Sequence, residues 1–448
     1  MSASSFSFDP YTRIHAHHQT LTINGPSKLS GHVRISGSKN SSLAILAATL
    51  CCSGATKLRN VPNLSDTRAM ASILSSLGAV VEVSGDEVLV CSDRVGSVEP
   101  CGDLVKEIRG GFFVIGPLLA RFGEAAVALP GGCDIGSRPV DIYIDGLRAL
   151  GAVVQLRDGK VQARTRNGIG LVGGRFHLSY PSVGATETLM MAACLADGVT
   201  VLSNVAKEPE VIDLAHFLNS SGAHVEGAGS CEIRIMGRRW LPGNNEHFIT
   251  PDRIEAGTFL LAAAITRSCI NVFPVVPSHI SSLVHKLCTA GCRITRSGHD
   301  SLEVSALCKT GRESLQAFNV RTGPFPAFPT DLQPQVMALL TTCNGLSIVE
   351  ESVFERRMSH VRELQKLGAG IEILGRSTLV YRKHKERALH GSKLTAMDLR
   401  GGASLVLAAL AAEGTTEING AGHIYRGYED LDKKLAGLGA DIQINSNH

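Results

Sequence analysis

The sequence has little excess charge of either sign and few aromatic residues. Its 44 lysines and arginines nearly balance 41 aspartates and glutamates, which leaves a formal net charge of +3, and aromatic residues make up 5% of the chain. No run of basic residues interleaved with aromatics occurs, and such runs are typical of nucleic-acid-binding surfaces. The composition therefore gives no reason to expect a nucleic-acid partner.

Long apolar runs and a secretory leader are also missing. The apolar runs, such as SSLAILAATL, are too short to span a bilayer. The first twenty residues contain His, Arg, Asp and Ser but no apolar segment of the signal-peptide kind. We therefore expect a cytoplasmic protein without membrane contact, in which the residues before Leu21 form a disordered or organellar leader.

Although the chain has 12 cysteines, no CxxC pair is present, and only Cys51 and Cys52 are adjacent. This scatter differs from the dense disulfide framework of a small secreted domain. We expect most of the cysteines to be small buried hydrophobes in a reducing compartment. Cys133 is the expected exception, because the glycines around it in LPGGCDIGSRPVD permit a tightly turning or mobile loop.

What the sequence does contain is one unit repeated six times. A helical run that ends in a small residue and a glycine recurs about every 70 residues, as in SILSSLGAVVEV, GLRALGAVVQL and LAGLGADIQI. An apolar helix, a short strand, a second amphipathic helix and a hairpin follow one another in each unit, and VVQLRDGKVQA has a clear Asp158-Gly159 turn. The pattern predicts an α/β protein. The six marker glycines are Gly78, Gly151, Gly222, Gly291, Gly368 and Gly439.

The last unit ends one strand short of its hairpin, whereas QTLTING near the start of the chain is a strand without a partner. The economical interpretation is that the chain start completes the sixth unit. Three units per domain then give a continuous domain over residues 39–249 and a discontinuous one over 1–38 and 250–448, since 448 residues exceed what one core ordinarily supports. A single six-unit solenoid is the alternative.

Polar residues stand where the first helices of four units begin, in SGSKNSS, SVGATET, DLRGGAS and FPTDLQ. Helix N-termini offer unpaired N–H groups and a partial positive charge, which suits phosphate. One such start is ordinarily only a cap, but four of them, two with Lys39 or Arg400, favour an anionic ligand. Any single arginine also fits a structural role, so an oxyanion site requires several to converge with Lys39. The arginines near glycines or element ends are Arg109, Arg138, Arg357, Arg400 and Arg426.

Ten motifs in order make the sequence similar to the UDP-N-acetylglucosamine 1-carboxyvinyltransferase family of enolpyruvyl transferases, within the EPSP synthase superfamily. The resemblance runs from about Leu21 to Lys434. It implies two inside-out α/β barrel domains, each of three βαβαββ repeats, with the active site between them. The motifs are ISGSKNS, DLVKEIRGGFFVIGPLLARFG, LPGGCDIGSRPVD, PSVGATET, KEPEVIDLAHFL, PDRIEAGTF, PAFPTDLQPQ, SVFERRMSHVREL, DLRGGASLVLA and YRGYEDLDKKLAGLGA.

The resemblance also implies a reaction. Members of the family transfer enolpyruvate from phosphoenolpyruvate to the 3′-hydroxyl of UDP-N-acetylglucosamine and release phosphate, the first committed step of peptidoglycan synthesis. No metal and no organic cofactor is implied, and closure of the two domains would exclude water from the intermediate. We expect a monomer or a weak homo-oligomer.

The family's positions give catalytic roles to Cys133, Asp331, Lys39 and Arg400. Asp331 matches the base for the sugar hydroxyl, and Cys133 matches the loop cysteine that protonates C3 of the enol or forms a covalent adduct. The positions for phosphoenolpyruvate are Lys39, Asn40, Arg109, Arg138, Arg400 and Arg426. The positions for the UDP-sugar are Asn40, Arg109, Arg138, Pro139, Val140, Asp141, Ile142, Ser182, Val183, Gly184, Asp331 and Val353.

Some positions differ from the family's usual residues. Tyr143 replaces a histidine, Phe325 replaces a histidine or tyrosine, Tyr180-Pro181 replaces Lys-Val of some members, and Phe113 replaces a tryptophan. Three of these positions surround the expected nucleotide pocket. The alternative function is therefore that of a related enolpyruvyl transferase with another nucleotide or nucleotide-sugar acceptor. An enzyme for shikimate 3-phosphate would lack the PGGC loop and the RPVD stretch, and a non-catalytic homologue would have no physical reason to keep the matched polar residues together.

Overall fold

The computed structural model describes residues 19–166, 170–306, 315–382 and 389–446. The expected leader, up to residue 18, therefore lies outside the described residues. The helices, numbered in chain order, are α1 (Lys39–Ala48), α2 (Ser65–Ser76), α3 (Gly102–Glu107), α4 (Ile115–Phe122), α5 (Asp141–Ala149), α6 (Val183–Ala193), α7 (Pro209–Ser220), α8 (Arg253–Ile265), α9 (Ser281–Ala290), α10 (Gln333–Leu340), α11 (His360–Lys366), α12 (Leu399–Ala411) and α13 (Leu431–Gly437).

The strands of the described residues belong mainly to six sheets, one for each repeat. They are β1 (Gln19–Gly25), β2 (Ser30–Arg34), β3 (Cys52–Ser53), β4 (Ala55–Arg59), β5 (Val80–Ser84), β6 (Glu87–Cys91), β7 (Glu124–Ala128), β8 (Ala152–Arg157), β9 (Lys160–Thr165), β10 (Arg175–His177), β11 (Val199–Ser203), β12 (His224–Glu226), β13 (Glu232–Met236), β14 (Leu241–Pro242), β15 (Glu246–Phe248), β16 (Cys269–Phe273), β17 (Arg293–Arg296), β18 (Leu302–Ser305), β19 (Val320–Arg321), β20 (Leu346–Glu350), β21 (Gly370–Leu374), β22 (Ser377–Tyr381), β23 (Lys393–Thr395), β24 (Gly414–Asn419) and β25 (Asp441–Ser446).

The six sheets share one plan. Their strand orders are β15-β4-β6-β5, β7-β9-β8, β10-β11-β13-β12, β17-β18-β16-β2, β19-β20-β22-β21 and β23-β24-β1-β25. In all but the second sheet a parallel pair of strands adjoins antiparallel strands. Strands such as β6 and β20 alternate buried and exposed residues, as expected of sheets with one solvated face.

The first helix of each repeat lies inside these sheets. All residues of α8 and α10 are buried, and so are nearly all residues of α6 and α12. A helix that is apolar on every side belongs in a protein interior. Helices inside and sheets outside make an inside-out α/β barrel, so the predicted fold class is confirmed.

The marker glycines explain why the repeat is visible in the sequence. All six have positive φ, from 88° at Gly151 to 110° at Gly291. Each follows the second helix of its repeat, where the left-handed conformation favours glycine. The predicted Asp158-Gly159 hairpin turn has φ values of 52° and 71°, as a type I′ turn requires.

Buried apolar side chains form two clusters. The first lobe is the cluster within residues 43–249, and the second lobe joins residues 21–35 to residues 254–442. Strand β1 lies between β24 and β25, antiparallel to both, so the chain start fills a place in the sixth sheet. These clusters support our proposal of one domain over residues 39–249 and a second over 1–38 and 250–448.

The two connections between the lobes are paired with each other. Gly37 forms an antiparallel bridge with Pro251, Ser38 N donates to the Thr250 carbonyl at 2.8 Å, and Asp252 N donates to the Ser36 carbonyl at 2.9 Å. Helices α1 and α8 both begin at this junction. The N-termini of one internal helix from each lobe are thereby fixed side by side.

The expectation that most cysteines are buried was wrong. Of the described cysteines, three are exposed, three are half-buried and five are buried. The exposed ones lie at the start of α3, in the turn before β13 and on the outer face of α9, because apolar spacing does not show which side of an element faces outward. The buried ones are Cys51, Cys52, Cys194, Cys292 and Cys343. None of the described helices combines the length and apolar character needed to cross a bilayer.

Candidate active site

Lys39 is the first residue of α1, beside the junction between the lobes. Ser38 caps this helix by accepting a hydrogen bond from Ser41 N at 3.3 Å. The Lys39 side chain is 13% exposed, and its Nζ lies 3.3 Å from Asp66 Oδ2. A buried carboxylate therefore holds this ammonium group at the helix N-terminus.

Arg426 brings a second cation to the same carboxylate from the other lobe. It ends the short 3₁₀ turn Ala421–Arg426, and its Nε lies 2.9 Å from Asp66 Oδ1. Its Nη2 donates to the Glu107 carbonyl at 3.3 Å, and its Nη1 donates to Cys133 Sγ at 3.4 Å. Asp66 thus links Lys39 to Arg426, and Arg426 in turn contacts Cys133.

The loop of Cys133 connects β7 to α5 and depends on its glycines. A side chain at Gly131 would place its Cβ 1.8 Å from the Lys106 carbonyl oxygen, so only glycine fits. Gly132 and Gly136 have φ values of 107° and 128°, where other residues are strained. The glycine-rich sequence is therefore required by the path of the loop.

This loop rests on the second lobe. Ser137 N donates to Glu355 Oε1 at 2.6 Å, and Arg356 N donates to the Ile135 carbonyl at 3.1 Å. Cys133 is half-buried against the apolar cluster of the second lobe. The loop thus closes over the space between the lobes.

Asp331 lies between two arginines of the second lobe. It stands in the 3₁₀ turn Thr330–Leu332 that leads into α10, and its side chain is 26% exposed. Arg357 Nη1 lies 2.8 Å from Oδ1, and Arg400 Nη2 lies 3.2 Å from Oδ2. Burial alone would raise the pKa of Asp331, but the charges of Arg357, Arg400 and Lys39 outweigh it and hold the pKa well below its ordinary value.

The stability of the protein should reflect this ionised group. Because the folded-state pKa is depressed, Asp331 stabilises the fold fully above the unfolded-state pKa of about 3.9 and progressively less as pH falls further. We expect Asp331→Asn to lower the free energy of unfolding by about 3 kcal/mol near pH 7. Urea unfolding across pH should show that difference unchanged above about pH 5 and shrinking below about pH 4; a difference that grows towards acid pH would contradict the ion pairs.

Arg400 is almost wholly buried, with 2% of its side chain exposed. Asp398 caps α12 by accepting hydrogen bonds from the backbone N–H groups of Arg400 and Gly401, and the guanidinium lies 5.2 Å from the centre of the Tyr428 ring. Nε and Nη1 have no hydrogen-bond partner among the described residues. Buried donors of this kind are costly unless a ligand accepts from them, so they suit an anion.

Arg138 and Arg109 complete the group of cations. Arg138 Nη1 donates to the Cys133 carbonyl at 3.5 Å, and Arg109 Nη2 donates to the Pro139 carbonyl at 3.3 Å. Burial, followed by the charges of Arg109 and Arg357, lowers the pKa of Arg138 to about 10, so it stays charged at neutral pH. The structure therefore brings the predicted cations close enough to influence one another.

The residues predicted to bind the UDP-sugar lie at element ends of both lobes. Asp141 and Ile142 begin α5, Ser182 caps α6 by accepting from Ala185 N at 3.3 Å, and Val353 N donates to Glu351 Oε1 at 2.8 Å. Asn40, the second residue of α1, is half-buried. Their roles in binding stay predictions.

Tyr143, one of the departures from the family's residues, is a packing residue in this structure. It is 6% exposed, and its ring meets Phe112 edge to face at 5.4 Å. A side chain at Gly184 would place its Cβ 2.1 Å from the Tyr143 hydroxyl. Tyr143 therefore packs against the first turn of α6.

Phe325 and Tyr180 lie beside buried glutamates. Phe325 N donates to Glu208 Oε1 at 3.1 Å, and the Arg253 guanidinium lies 5.7 Å from the centre of the Phe325 ring. Arg253 itself forms two hydrogen bonds with Glu210, at 2.9 and 3.2 Å. Burial, followed by the charge of Glu208, raises the pKa of Tyr180. Phe325 and Tyr180, which both differ from the family's usual residues, thus lie in one polar region between the lobes.

Sequence reasoning missed Asp66 and gave Arg357 and Glu355 no place in the site. Asp66 stands in the first turn of α2, where an acidic residue is ordinary because of the helix dipole. Arg357 was among the arginines considered for an oxyanion site, but the resemblance gave it no role. No local signal could have found Asp66 or Glu355.

The EPSP synthase (3-phosphoshikimate 1-carboxyvinyltransferase) family model matches residues 23–435. The UDP-N-acetylglucosamine 1-carboxyvinyltransferase of Gloeobacter violaceus is 49% identical over 424 residues, covering 94% of this chain and 90% of that protein. Proteins of the same name from Synechocystis sp. and Geobacter metallireducens are each 46% identical over 423 residues, covering 94% of this chain and 94% and 98% of their own lengths.

Solved structures show the same architecture. The enolpyruvyl transferase NikO from Streptomyces tendae superposes with a TM-score of 0.84 at 26% identity, covering 96% of this chain and 99% of that one. An EPSP synthase from Acinetobacter baumannii gives a TM-score of 0.73 at 17% identity, covering 95% and 100%. The second likeness is one of fold.

Proposed function

This chain belongs to the EPSP synthase family and, within it, to the UDP-N-acetylglucosamine 1-carboxyvinyltransferases, and from this premise we propose its reaction. It transfers the enolpyruvyl group of phosphoenolpyruvate to the 3′-hydroxyl of UDP-N-acetylglucosamine and releases phosphate, as the first committed step of peptidoglycan synthesis in the cytoplasm. The observation that carries the proposal is the convergence of cations from both lobes around Asp331 and Cys133.

The cations match the charges of phosphoenolpyruvate. That substrate carries a carboxylate and a phosphate, both of which arginines can bind through two parallel hydrogen bonds. Arg400 leaves two buried donors, Nε and Nη1, without a partner among the described residues, and an anion can accept from them. Lys39, Arg109, Arg138 and Arg426 supply the remaining positive charge, and Asn40 adds a neutral donor at the start of α1.

Asp331 is the base for the sugar hydroxyl. A carboxylate whose pKa is held far below neutrality is a poor proton acceptor, and Arg357 and Arg400 keep Asp331 in that state. When anionic phosphoenolpyruvate takes up part of their charge, Asp331 becomes a stronger base. Base strength is thereby tied to the presence of the second substrate.

Cys133 acts at C3 of phosphoenolpyruvate, the carbon next to the one that the sugar oxygen attacks. In the addition step the sugar oxygen bonds to C2 of phosphoenolpyruvate while C3 takes a proton, and in the elimination step C3 loses a proton as phosphate departs. Cys133 is the group that exchanges a proton with C3, and two observations support this role: it lies on the loop that closes the site, and it contacts Arg426. The closed loop also excludes water from the addition intermediate.

Phosphate release from phosphoenolpyruvate tests the proposal directly. Purified protein should release phosphate only when UDP-N-acetylglucosamine is present. Release with another nucleotide or nucleotide-sugar alone would replace the acceptor and point to Tyr180 and Phe325 as the residues that select it. If none of the acceptors tested gives phosphate release, the proposed function is overturned.

Cys133→Ala is expected to lower kcat about 100-fold and to leave the KM for both substrates within about threefold, because a general acid is lost while the cations remain. Initial rates of phosphate release measure this. Cys101→Ala, which removes an exposed thiol of the same lobe, serves as the control and should be fully active. Unchanged turnover in Cys133→Ala would remove the thiol from the reaction.

A further inference from the structure

Asp66 is a buried carboxylate that divides its two oxygens between the lobes. It is 3% exposed and lies in the first turn of α2, in the first lobe. Oδ2 faces Lys39 of the same lobe at 3.3 Å, and Oδ1 faces Arg426 of the second lobe at 2.9 Å. One acidic residue therefore joins the first cation of α1 to a cation from the opposite side of the site.

The other contacts of Arg426 show what this arrangement fixes. Its Nη2 donates to the Glu107 carbonyl and its Nη1 to Cys133 Sγ, so all of these contacts are with residues of the first lobe. Asp66 and Cys133 raise the pKa of Arg426 against the effect of burial, which would lower it. Asp66 thus supplies the negative charge that holds the guanidinium across the cleft and next to the thiol.

Without that charge the two cations would repel each other. Lys39 and Arg426 are both largely buried, and like charges in a partly desolvated site interact strongly. A carboxylate between them keeps both close while leaving Lys39 two further N–H donors for a ligand. The effect is to preset the spacing of two cations that come from different lobes.

We propose that Asp66 is a positioning residue for phosphoenolpyruvate. It holds Lys39 and Arg426 at the spacing that binds the anionic substrate, and it fixes Arg426 against the Cys133 thiol when the lobes meet. This role rests on the proposed function, because it assumes that these two cations bind phosphoenolpyruvate.

The test compares Asp66→Asn with the wild-type protein and with Asp103→Asn. Asp103 is an exposed aspartate of the same lobe, paired with Lys106 on α3. We expect Asp66→Asn to lower kcat/KM for phosphoenolpyruvate about 10- to 100-fold, mainly through KM, since two charge-assisted contacts are lost. KM for the UDP-sugar should stay within about twofold in the same assays. Asp103→Asn should match wild type.

Alkylation of Cys133 gives a second readout that needs no turnover. Because Arg426 Nη1 lies 3.4 Å from Cys133 Sγ and the reactivity of a cysteine depends on its charged neighbours, iodoacetamide should modify Cys133 about fivefold more slowly in Asp66→Asn than in wild type, as followed by mass spectrometry. If wild type releases no phosphate with any acceptor, the proposed function fails, whereas the alkylation ratio still decides whether Asp66 places Arg426.

Asp66→Glu covers the case in which Asp66→Asn does not fold, because it keeps the charge. Its KM for phosphoenolpyruvate should rise less than about tenfold, with an unchanged KM for the UDP-sugar, as expected if charge rather than shape matters most. Equal increases in both KM values, or wild-type KM and alkylation rate in Asp66→Asn, would overturn the positioning role.

Discussion

Asp331→Asn is expected to lower kcat about 1000-fold while both substrates still bind. Asparagine keeps the shape of the side chain and its place between Arg357 and Arg400, but it cannot accept the proton of the sugar hydroxyl, and a general base contributes up to about 10⁴-fold. Because the two arginines lose their internal counter-charge, the KM for phosphoenolpyruvate should stay unchanged or fall. Initial rates at saturating concentrations of both substrates measure the effect.

Asp300→Asn is the control for this prediction, since Asp300 is an exposed aspartate of the second lobe. It should show wild-type rates. Near-normal kcat in Asp331→Asn would remove Asp331 as the base. A large rise in the KM for phosphoenolpyruvate with normal kcat would instead make it a binding residue.

Arg400→Lys is expected to lower kcat/KM for phosphoenolpyruvate by about 100- to 1000-fold, although the charge is kept. Lysine presents one point charge, whereas the guanidinium contacts Asp331 through Nη2 and still has Nε and Nη1 free among the described residues. The substitution also removes the contact between the guanidinium and the Tyr428 ring. A planar guanidinium whose donors are fixed before the substrate arrives stabilises charge that develops in the transition state far better than a mobile ammonium group does.

Steady-state kinetics with phosphoenolpyruvate as the varied substrate measure this loss. Arg296→Lys, which changes an exposed arginine of the second lobe, should have no effect. The KM for the UDP-sugar should change little in Arg400→Lys. If kcat/KM for phosphoenolpyruvate falls less than about fivefold, the forked geometry of Arg400 is not required.

The repeat architecture could be predicted from the sequence because its signals are local. The marker glycines recur since each second helix ends in a left-handed residue. The first helices are apolar on all sides, which only an interior position allows. The interpretation that the chain start completes the sixth unit rests on a local signal as well, since one unit lacks a strand and QTLTING is a strand without a unit; in the structure β1 lies between β24 and β25.

The contacts that organise the site could not be predicted in the same way. Asp66 and Arg426 are 360 positions apart, and Asp331 and Arg400 are 69 apart. No spacing rule connects such residues, because their meeting depends on how the two lobes face each other. The resemblance supplied Lys39, Cys133 and Asp331 as candidates, but it did not indicate Asp66, the carboxylate between Lys39 and Arg426. The errors over cysteine burial have a related cause, since facing depends on packing.

The order in which the chain is made has a consequence for the second lobe. Residues 43–249 are consecutive, so the first lobe can fold as soon as they have emerged. Strand β1 is made early, but Thr20 lies opposite Asn419, 399 positions later. At ordinary translation rates that interval is roughly 20 to 80 seconds. During it Leu21 and Ile23, which are fully buried in the finished protein, remain without their sheet, so the second lobe closes only when synthesis is nearly over.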